Sequence, residues 1–253
     1  MCLIVLAWRP GHALPLVVAA NRDEFHERPS QPLGRWADAP QVLAGRDLLA
    51  GGTWMGITPA GRFAALTNIR ADGQPLGRRS RGKLVEDFLR GDDSPEGYLG
   101  ELAGQLQDYT GFNLLVGDGQ ALWYLNSQQG APQRLESGVY GLSNAGLNTP
   151  WPKLERALAA FRASLARPTP EALLELLGDR RQASDDRLPA TGVPLEWERL
   201  LSSVFIASRE YGTRSSTALL RQADGQLLMV ERSFTPEGAH REVRLCLPAQ
   251  AVG

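Results

Sequence analysis

The sequence predicts an α+β protein, a four-layer αββα sandwich in which two stacked antiparallel sheets lie between layers of helix. Three observations predict it. Short apolar runs meet across turn signals and read as hairpins. Amphipathic segments with helical spacing fall in two pairs between those hairpins. The resulting order of hairpins, two helices, hairpins, two helices and hairpins lacks the strict βαβα alternation of a parallel sheet.

Leu3 to Trp8 and Leu14 to Ala20 are apolar, strand-favouring runs joined by Arg9-Pro-Gly-His12, a turn signal that makes them an opening hairpin. Gly52 to Thr58 and Arg62 to Asn68 form a second strand pair around Pro59-Ala-Gly61. Helices are expected over 80–90, where Leu84, Val85 and Phe88 recur behind a Ser80 cap, and over 94–108, where Tyr98, Leu99, Leu102 and Leu106 recur. Phe112 to Val116 and Ala121 to Asn126 flank Gly117-Asp-Gly119, the strongest hairpin signal in the chain. Trp151 to Leu165 and Thr169 to Leu177 read as two more helices, the second opening on a threonine cap followed by proline. Val204 to Ala207, Ser215 to Arg221, Gln226 to Phe234 and Glu242 to Leu247 close the chain as strands, the middle two hinged at Ala223-Asp-Gly225. Arg180 to Pro194 is polar and reads either as a solvated loop or as a lid. One domain spanning 1–253 is expected from a length that suffices for one large core.

Composition narrows the function. The 27 Lys and Arg residues are matched by 28 Asp and Glu, so no net field draws the chain to nucleic acid or an anionic membrane, and a small-molecule partner is expected. The longest apolar runs, Cys2 to Trp8 and Leu14 to Ala20, are far shorter than the ~20 residues that span a bilayer. The amino terminus has neither the positive start nor the small-residue cleavage site of a signal peptide, which predicts a cytoplasmic protein. A reducing compartment leaves the two cysteines, Cys2 and Cys246, as free thiols, with Cys246 expected as a buried hydrophobe in its strand. His12, His26 and His240 are too scattered for a metal site, and neither a metal nor a cofactor is expected.

Cys2 carries the most chemical information. Small second residues permit removal of the initiator methionine, which would leave a thiol nucleophile and an α-amine of pKa about 7.7–8.0 on one residue. Alone, the same cysteine reads equally as a small packed hydrophobe. Asn21-Arg22-Asp23-Glu24 changes the balance. With a turn near Pro10 to Ala13, Cys2 falls opposite the residues around Ala20 to Asp23, where a carboxylate could hold the amine. A solvated turn is the alternative for that charged cluster. Gly51-Gly-Thr-Trp and Thr213-Arg-Ser-Ser could line a phosphate or oxyanion pocket with backbone donors, and glycine there is equally explained by tight sheet geometry.

The segment Ala19-Ala-Asn-Arg-Asp-Glu-Phe-His-Glu-Arg-Pro29 resembles the signature of the NRDE family, known from transport and Golgi organization protein 2. Gly51-Gly-Thr-Trp-Met-Gly56, Leu66-Thr-Asn-Ile-Arg70, Ser80-Arg-Gly82, Gly111-Phe-Asn-Leu114, Gly141-Leu-Ser-Asn144, Pro150-Trp-Pro-Lys153 and Tyr211-Gly-Thr-Arg-Ser-Ser216 extend the resemblance over essentially the whole chain. Several ordered blocks are far more specific than one four-letter motif. That family is similar in turn to N-terminal nucleophile hydrolases, especially the cholylglycine hydrolase and penicillin V acylase group. The resemblance implies Cys2 as nucleophile, Asp23 as the holder of the α-amine, Asn144 as the oxyanion asparagine and Arg214 as the late arginine near the thiol. Asn21, Arg22, Glu24, Asn68 and Asn113 are the candidates for holding substrate. One departure stands out. The related hydrolases carry arginine three residues before the aspartate, where this chain has Ala20, with Arg22 adjacent to Asp23 instead.

Two functions follow from these residues. One is a cysteine amidohydrolase or acyltransferase acting on a small amide or thioester. The other is a non-catalytic carrier that keeps the fold and binds a hydrophobic acyl-type or haem ligand, in line with the lipid and haem handling proposed for the family.

Overall fold

Side-chain alternation along the opening hairpin sets the layers. In the computed structural model, which describes residues 2–249 apart from the His240 side chain, β1 (Cys2–Trp8) pairs antiparallel with β2 (Leu16–Phe25). Successive side chains of a strand point to opposite faces. Ile4, Leu6, Trp8, Val18 and Ala20 therefore enter a core between the two sheets, while Leu3, Val5, Ala7, Val17 and Ala19 pack beneath helices. Burial on both faces explains why these strands read as unbroken apolar runs.

The chain continues through β3 (Ser30–Trp36), β4 (Ala39–Asp47), β5 (Met55–Ile57), β6 (Phe63–Asn68), α1 (Gly82–Arg90), α2 (Pro95–Ala103), β7 (Phe112–Gly117), β8 (Leu122–Asn126), β9 (Gln133–Leu135) and β10 (Gly138–Leu142). It ends with α3 (Pro152–Ser164), α4 (Pro170–Leu176), α5 (Leu195–Leu200), β11 (Tyr211–Arg221), β12 (Leu227–Thr235) and β13 (Gly238–Leu247). One antiparallel sheet has the order β10-β1-β2-β11-β12-β13, the other β3-β4-β5-β6-β7-β8-β9. Leu84, Phe88 and Leu99 of α1 and α2 cover the outer face of the second sheet. Leu154, Phe161 and Leu173 of α3 and α4 cover that of the first. The result is the expected αββα sandwich. Each such side chain contributes roughly 1.5–3 kcal/mol when it is fully buried, so the layers are held by apolar burial on four faces.

Most elements lie where the sequence puts them, and the differences have local causes. β3 and β4 were not expected, because Pro32, Gly34 and Pro40 interrupt any alternation. β3 is an edge strand with two register shifts, a position that tolerates proline. β9, β10 and α5 are short elements that were also missed. The helix expected over 94–108 stops at Ala103, and Leu106–Asp108 is a separate 3-10 turn beyond Gly104. Ser80 does not cap α1, whose start makes no side-chain cap bond, whereas Thr169 does cap α4 by accepting from the Ala172 N–H. Val204 to Ala207 is no strand. It meets β11 through one isolated bridge, Ala207 to Gly212. Cys246 is exposed, because β13 is an edge strand and only its other face, through Val243, Leu245 and Leu247, packs on the inter-sheet core. Arg180 to Pro194 is a tied loop. Arg199 grips Asp185 with two bonds of 2.8 and 2.6 Å, and the Thr191 N–H donates to Glu198 at 2.9 Å.

Candidate functional site

The strand pairing places Cys2 directly opposite Arg22, with Asp23 next in line. Alternation then splits the polar cluster between two faces. Arg22 continues the row of Val18 and Ala20 toward the other sheet, whereas Asn21 and Asp23 continue the row of Val17 and Ala19 toward the helices. All of this lies at the end of the sandwich, where a pocket of about 220 Å³ is lined by Cys2, Arg22, Asp23, Glu24 and Asn68 together with residues of the α1 entry.

Asp23 is 1% exposed and sits against β11, where Thr213 donates to its Oδ1 at 2.8 Å and the Tyr211 hydroxyl donates to its backbone carbonyl at 3.0 Å. Burial pushes its carboxyl above the usual aspartate value, and Lys153 at the start of α3 pulls it back down. Lys153 is itself 1% exposed, and burial holds it down to about 8 despite the attraction of Asp23. Burial also dominates at Cys2. The thiol is pushed up, and the arginine that should favour the thiolate only partly offsets this.

Asn68 lines the pocket, and among the described residues its side-chain amide makes no hydrogen bond. Asn144 lies behind it. Its Nδ2 donates one of its two N–H groups to the Asn68 carbonyl at 2.9 Å, and its Oδ1 accepts from Lys153 Nζ at 3.3 Å. Asn113 is also away from the pocket lining, donating to Thr67 and to the Ala145 carbonyl, which straps the 143–147 segment to the second sheet. Asn21 donates to the Leu177 and Val204 carbonyls at 3.0 and 2.8 Å and so anchors the helical layer. Glu24 lines the pocket and accepts from the Phe25 N–H.

Arg214 occupies a β-bulge, the extra residue between the Thr213–Asp23 and Ser215–Arg22 pairs. Bulges re-aim a side chain, and this one points Arg214 into a neighbouring pocket. Its Nη1 donates to the Phe25 and Arg28 carbonyls.

Sequence reasoning passed over Arg81, Trp54 and Lys153 as individual residues. Arg81 is at the N-terminal end of α1 and donates to the Gly111 carbonyl at 3.1 Å, and its charge acts on Cys2. Trp54 carries the Arg22 guanidinium at 4.3 Å from its ring centroid. Each stood inside a motif block, which was the available signal. The glycine question has a steric answer at one position. Gly52 has φ +77°, and a Cβ there would meet the Gly82 carbonyl oxygen at 2.3 Å, so the pair lets the 51–54 loop close on the start of α1.

Fold and site together define an antiparallel αββα protein with a buried cysteine on its first strand, opening into a pocket at the sheet end. The family profile described as Transport and Golgi organisation 2 matches residues 1–236. The chain belongs to that family. It is 36% identical over 259 residues to the Transport and Golgi organization protein 2 homolog of Bos taurus, covering 92% of this chain and 93% of that one. The Homo sapiens homolog is 35% identical over 268 residues, with coverage of 96% and 97%. Solved structures that resemble it include a mutant conjugated bile acid hydrolase from Clostridium perfringens, with TM-score 0.42, 11% identity and coverage of 97% of this chain and 92% of that one. Another is the Caenorhabditis elegans orthologue of N-acylethanolamine-hydrolyzing acid amidase, with TM-score 0.44, 13% identity and coverage of 98% and 100%. No helix among the described residues is long and apolar enough to cross a membrane.

Proposed function

We propose that the protein is a cysteine N-terminal nucleophile amidohydrolase or acyltransferase, a single domain acting in the cytoplasm on a small amide or thioester. The observation that carries this reading is the register that sets Cys2 opposite Arg22, with the Asp23 carboxylate buried one residue on and steadied by Thr213. Met1 lies outside the described residues, and its removal in the cell would put the α-amine of Cys2 beside Asp23. The sulfur then attacks the substrate carbonyl as its proton passes to the amine. The amide of Asn68, which has donors to spend, serves the oxyanion, and Asn144 positions it from behind. Collapse breaks the carbon–nitrogen or carbon–sulfur bond, and the ammonium returns its proton to the leaving group. Water, or an acceptor amine, releases the acyl group from Cys2. Lys153 and Asp23 act on the charge of the amine. The upward push on the thiol favours the second reading, a carrier for a hydrophobic acyl-type or haem ligand in which Cys2 never reacts.

Intact mass of protein made in its native host, followed by acylation with an S-phenyl thioester, separates the two. Loss of Met1 and transfer of the acyl group to Cys2, abolished in Asp23→Asn with melting unchanged, is the expected result. Retention of Met1, or equal labelling of both proteins, leaves the carrier.

A further inference from the structure

We infer that the neighbouring pocket, which adjoins the Cys2 pocket at Arg22 and Trp54, is a subsite for an oxyanion, a carboxylate or phosphate carried by the same ligand whose carbonyl reaches Cys2. The position of that carbonyl rests on the function proposed above, but the anion site does not.

The second pocket measures about 210 Å³ and lies between β2, β11 and β12 and the start of β3. Its charge balance differs from that of the first. Four arginines and three carboxylates line the Cys2 pocket, whereas Arg22, Arg214 and Arg241 line the second with Glu231 as the sole carboxylate. Glu231 is already engaged, its Oε1 accepting from the Leu33 N–H at 2.7 Å and its Oε2 from Thr217 at 3.4 Å.

The arginine donors, by contrast, are spent only in part, at Arg214 Nη1. Arg22 is 6% exposed, and among the described residues its guanidinium makes no hydrogen bond. It rests on Trp54, and the nearest carboxylate oxygen, Asp47 Oδ2, is 3.9 Å away and is bound by Arg28 at 2.8 Å. Arg214 has a buried Nε without a hydrogen-bond partner, and the bulge that carries it faces Arg22 across the strand pair. The two guanidinium groups are close enough to repel. Planar N–H forks left open, with like charge between them, match the two coplanar oxygens of a carboxylate or those of a phosphate. An anion placed there would meet the idle donors and screen the repulsion.

Geometry ties this site to the thiol. Arg22 is the cross-strand partner of Cys2 and forms part of both walls, so an anion held on Arg22 leaves the rest of its ligand beside the sulfur. Each pocket alone is smaller than the roughly 300–1,000 Å³ of typical ligand sites, and the two joined come within that range.

Calorimetric titration of the full-length protein with benzoate and with phenyl phosphate, against benzamide as the neutral counterpart, tests the subsite. Saturable binding of at least one anion and none of benzamide is expected, weakened at least tenfold in Arg214→Gln and in Arg22→Gln and partly restored in Arg214→Lys. The preferred anion tells carboxylate from phosphate. Cys2→Ala should keep anion binding while losing acyl transfer, which separates the two proposals. Benzamide binding as well as benzoate, no anion binding to the folded wild type, or unchanged affinity in Arg214→Gln would overturn the subsite and leave the Cys2 chemistry standing. Should Arg22→Gln fail to fold, the half-buried Arg214 decides alone.

Discussion

Thr213→Val removes one hydroxyl while keeping the shape of a buried side chain. That hydroxyl donates to Asp23 Oδ1 at 2.8 Å and accepts from the Ile206 N–H at 2.9 Å, so valine deletes two bonds at once. A bond to a charged group contributes about 1.5–3 kcal/mol, and a buried N–H left without a partner costs about 1–3 kcal/mol. The expected loss is about 3–5 kcal/mol near neutral pH, or roughly 6–20 °C in Tm for a chain of this size. Its pH dependence follows from Asp23. The Thr213 bond favours the charged carboxyl, so valine raises the folded-state value further above that of the unfolded chain. Stability from a group raised in this way is present at low pH and lost as pH rises through the folded-state value. The cost of the substitution should therefore shrink toward acid, and the rise of acyl transfer to Cys2 should move to higher pH. Denaturant unfolding from pH 4 to 8, beside a labelling profile, measures both. A loss below about 0.5 kcal/mol, or an unmoved labelling profile, would refute the role given to Thr213.

Two further substitutions probe the walls of the site. Gly52→Ala should cost about 2–5 kcal/mol, since a left-handed backbone costs an L-residue about 1–2 kcal/mol and the contact with Gly82 adds overpacking. Gly51→Ala, also at positive φ but with open space around its Cβ, should cost only the first part, and equal melting of the two variants would remove the steric argument. At Lys153, a folded-state value of about 8 against 10.5 for the free side chain means that the fold disfavours the charged form. That penalty is complete below pH 8 and fades as pH rises to 10.5, a gain of about 3 kcal/mol at 1.36 kcal/mol per pH unit. Lys153→Met should lack this gain, so the parent should gain about 3 kcal/mol of unfolding free energy relative to the variant across the window. A flat difference would place the lysine outside the buried site.

The readable parts of this fold are those in which local chemistry and tertiary role agree. The opening hairpin was legible because two apolar runs flank a Pro-Gly turn, and its register followed from turn length, which put Cys2 opposite Arg22 within the expected range. The Gly117-Asp-Gly119 turn and the Thr169 cap were legible for the same reason. β3 was not, because its backbone needs are met from outside the ladder. The Leu33 N–H is satisfied by Glu231 of the other sheet, and nothing local to Pro32 announces that. Lys153 illustrates a second limit. A lysine in the first turn of a helix reads as solvated, and only its packing beside Asp23 and Asn144 shows it buried. Asn144 and Asn68 show a third. Motif position marked both, but that Asn68 lines the pocket while Asn144 stands behind its carbonyl is decided by tertiary packing.

The four-residue cluster Asn21 to Glu24 makes sense as a device for serving two layers from one strand. Its odd positions face the helices. Asn21 ties Leu177 and Val204 to the sheet, and Asp23 gathers Thr213 and Lys153. Its even positions face the pockets, where Arg22 separates the two cavities and Glu24 lines the first. Cys2, paired with Arg22, shares the inward face, while its backbone nitrogen stays in the plane of the sheet, between the thiol on one side and Asp23 on the other. A register slip of one residue would turn Asp23 toward the other sheet and Arg22 under the helices, exchanging these roles. The β11 bulge keeps the arrangement in step on the other side of β2, since it holds Thr213 opposite Asp23 and Ser215 opposite Arg22 with Arg214 left over. Deleting Arg214 outright, unlike replacing it, would remove the bulge while leaving Thr213 opposite Asp23 and Ser215 opposite Arg22, so the local bend and twist go and the pairings stay. The deletion variant should thus lose several degrees of melting temperature yet still acylate Cys2, whereas Arg214→Gln should keep its melting temperature. If the deletion melts like the parent but no longer labels at Cys2, the bend of the bulge rather than the pairing it spans sets the site.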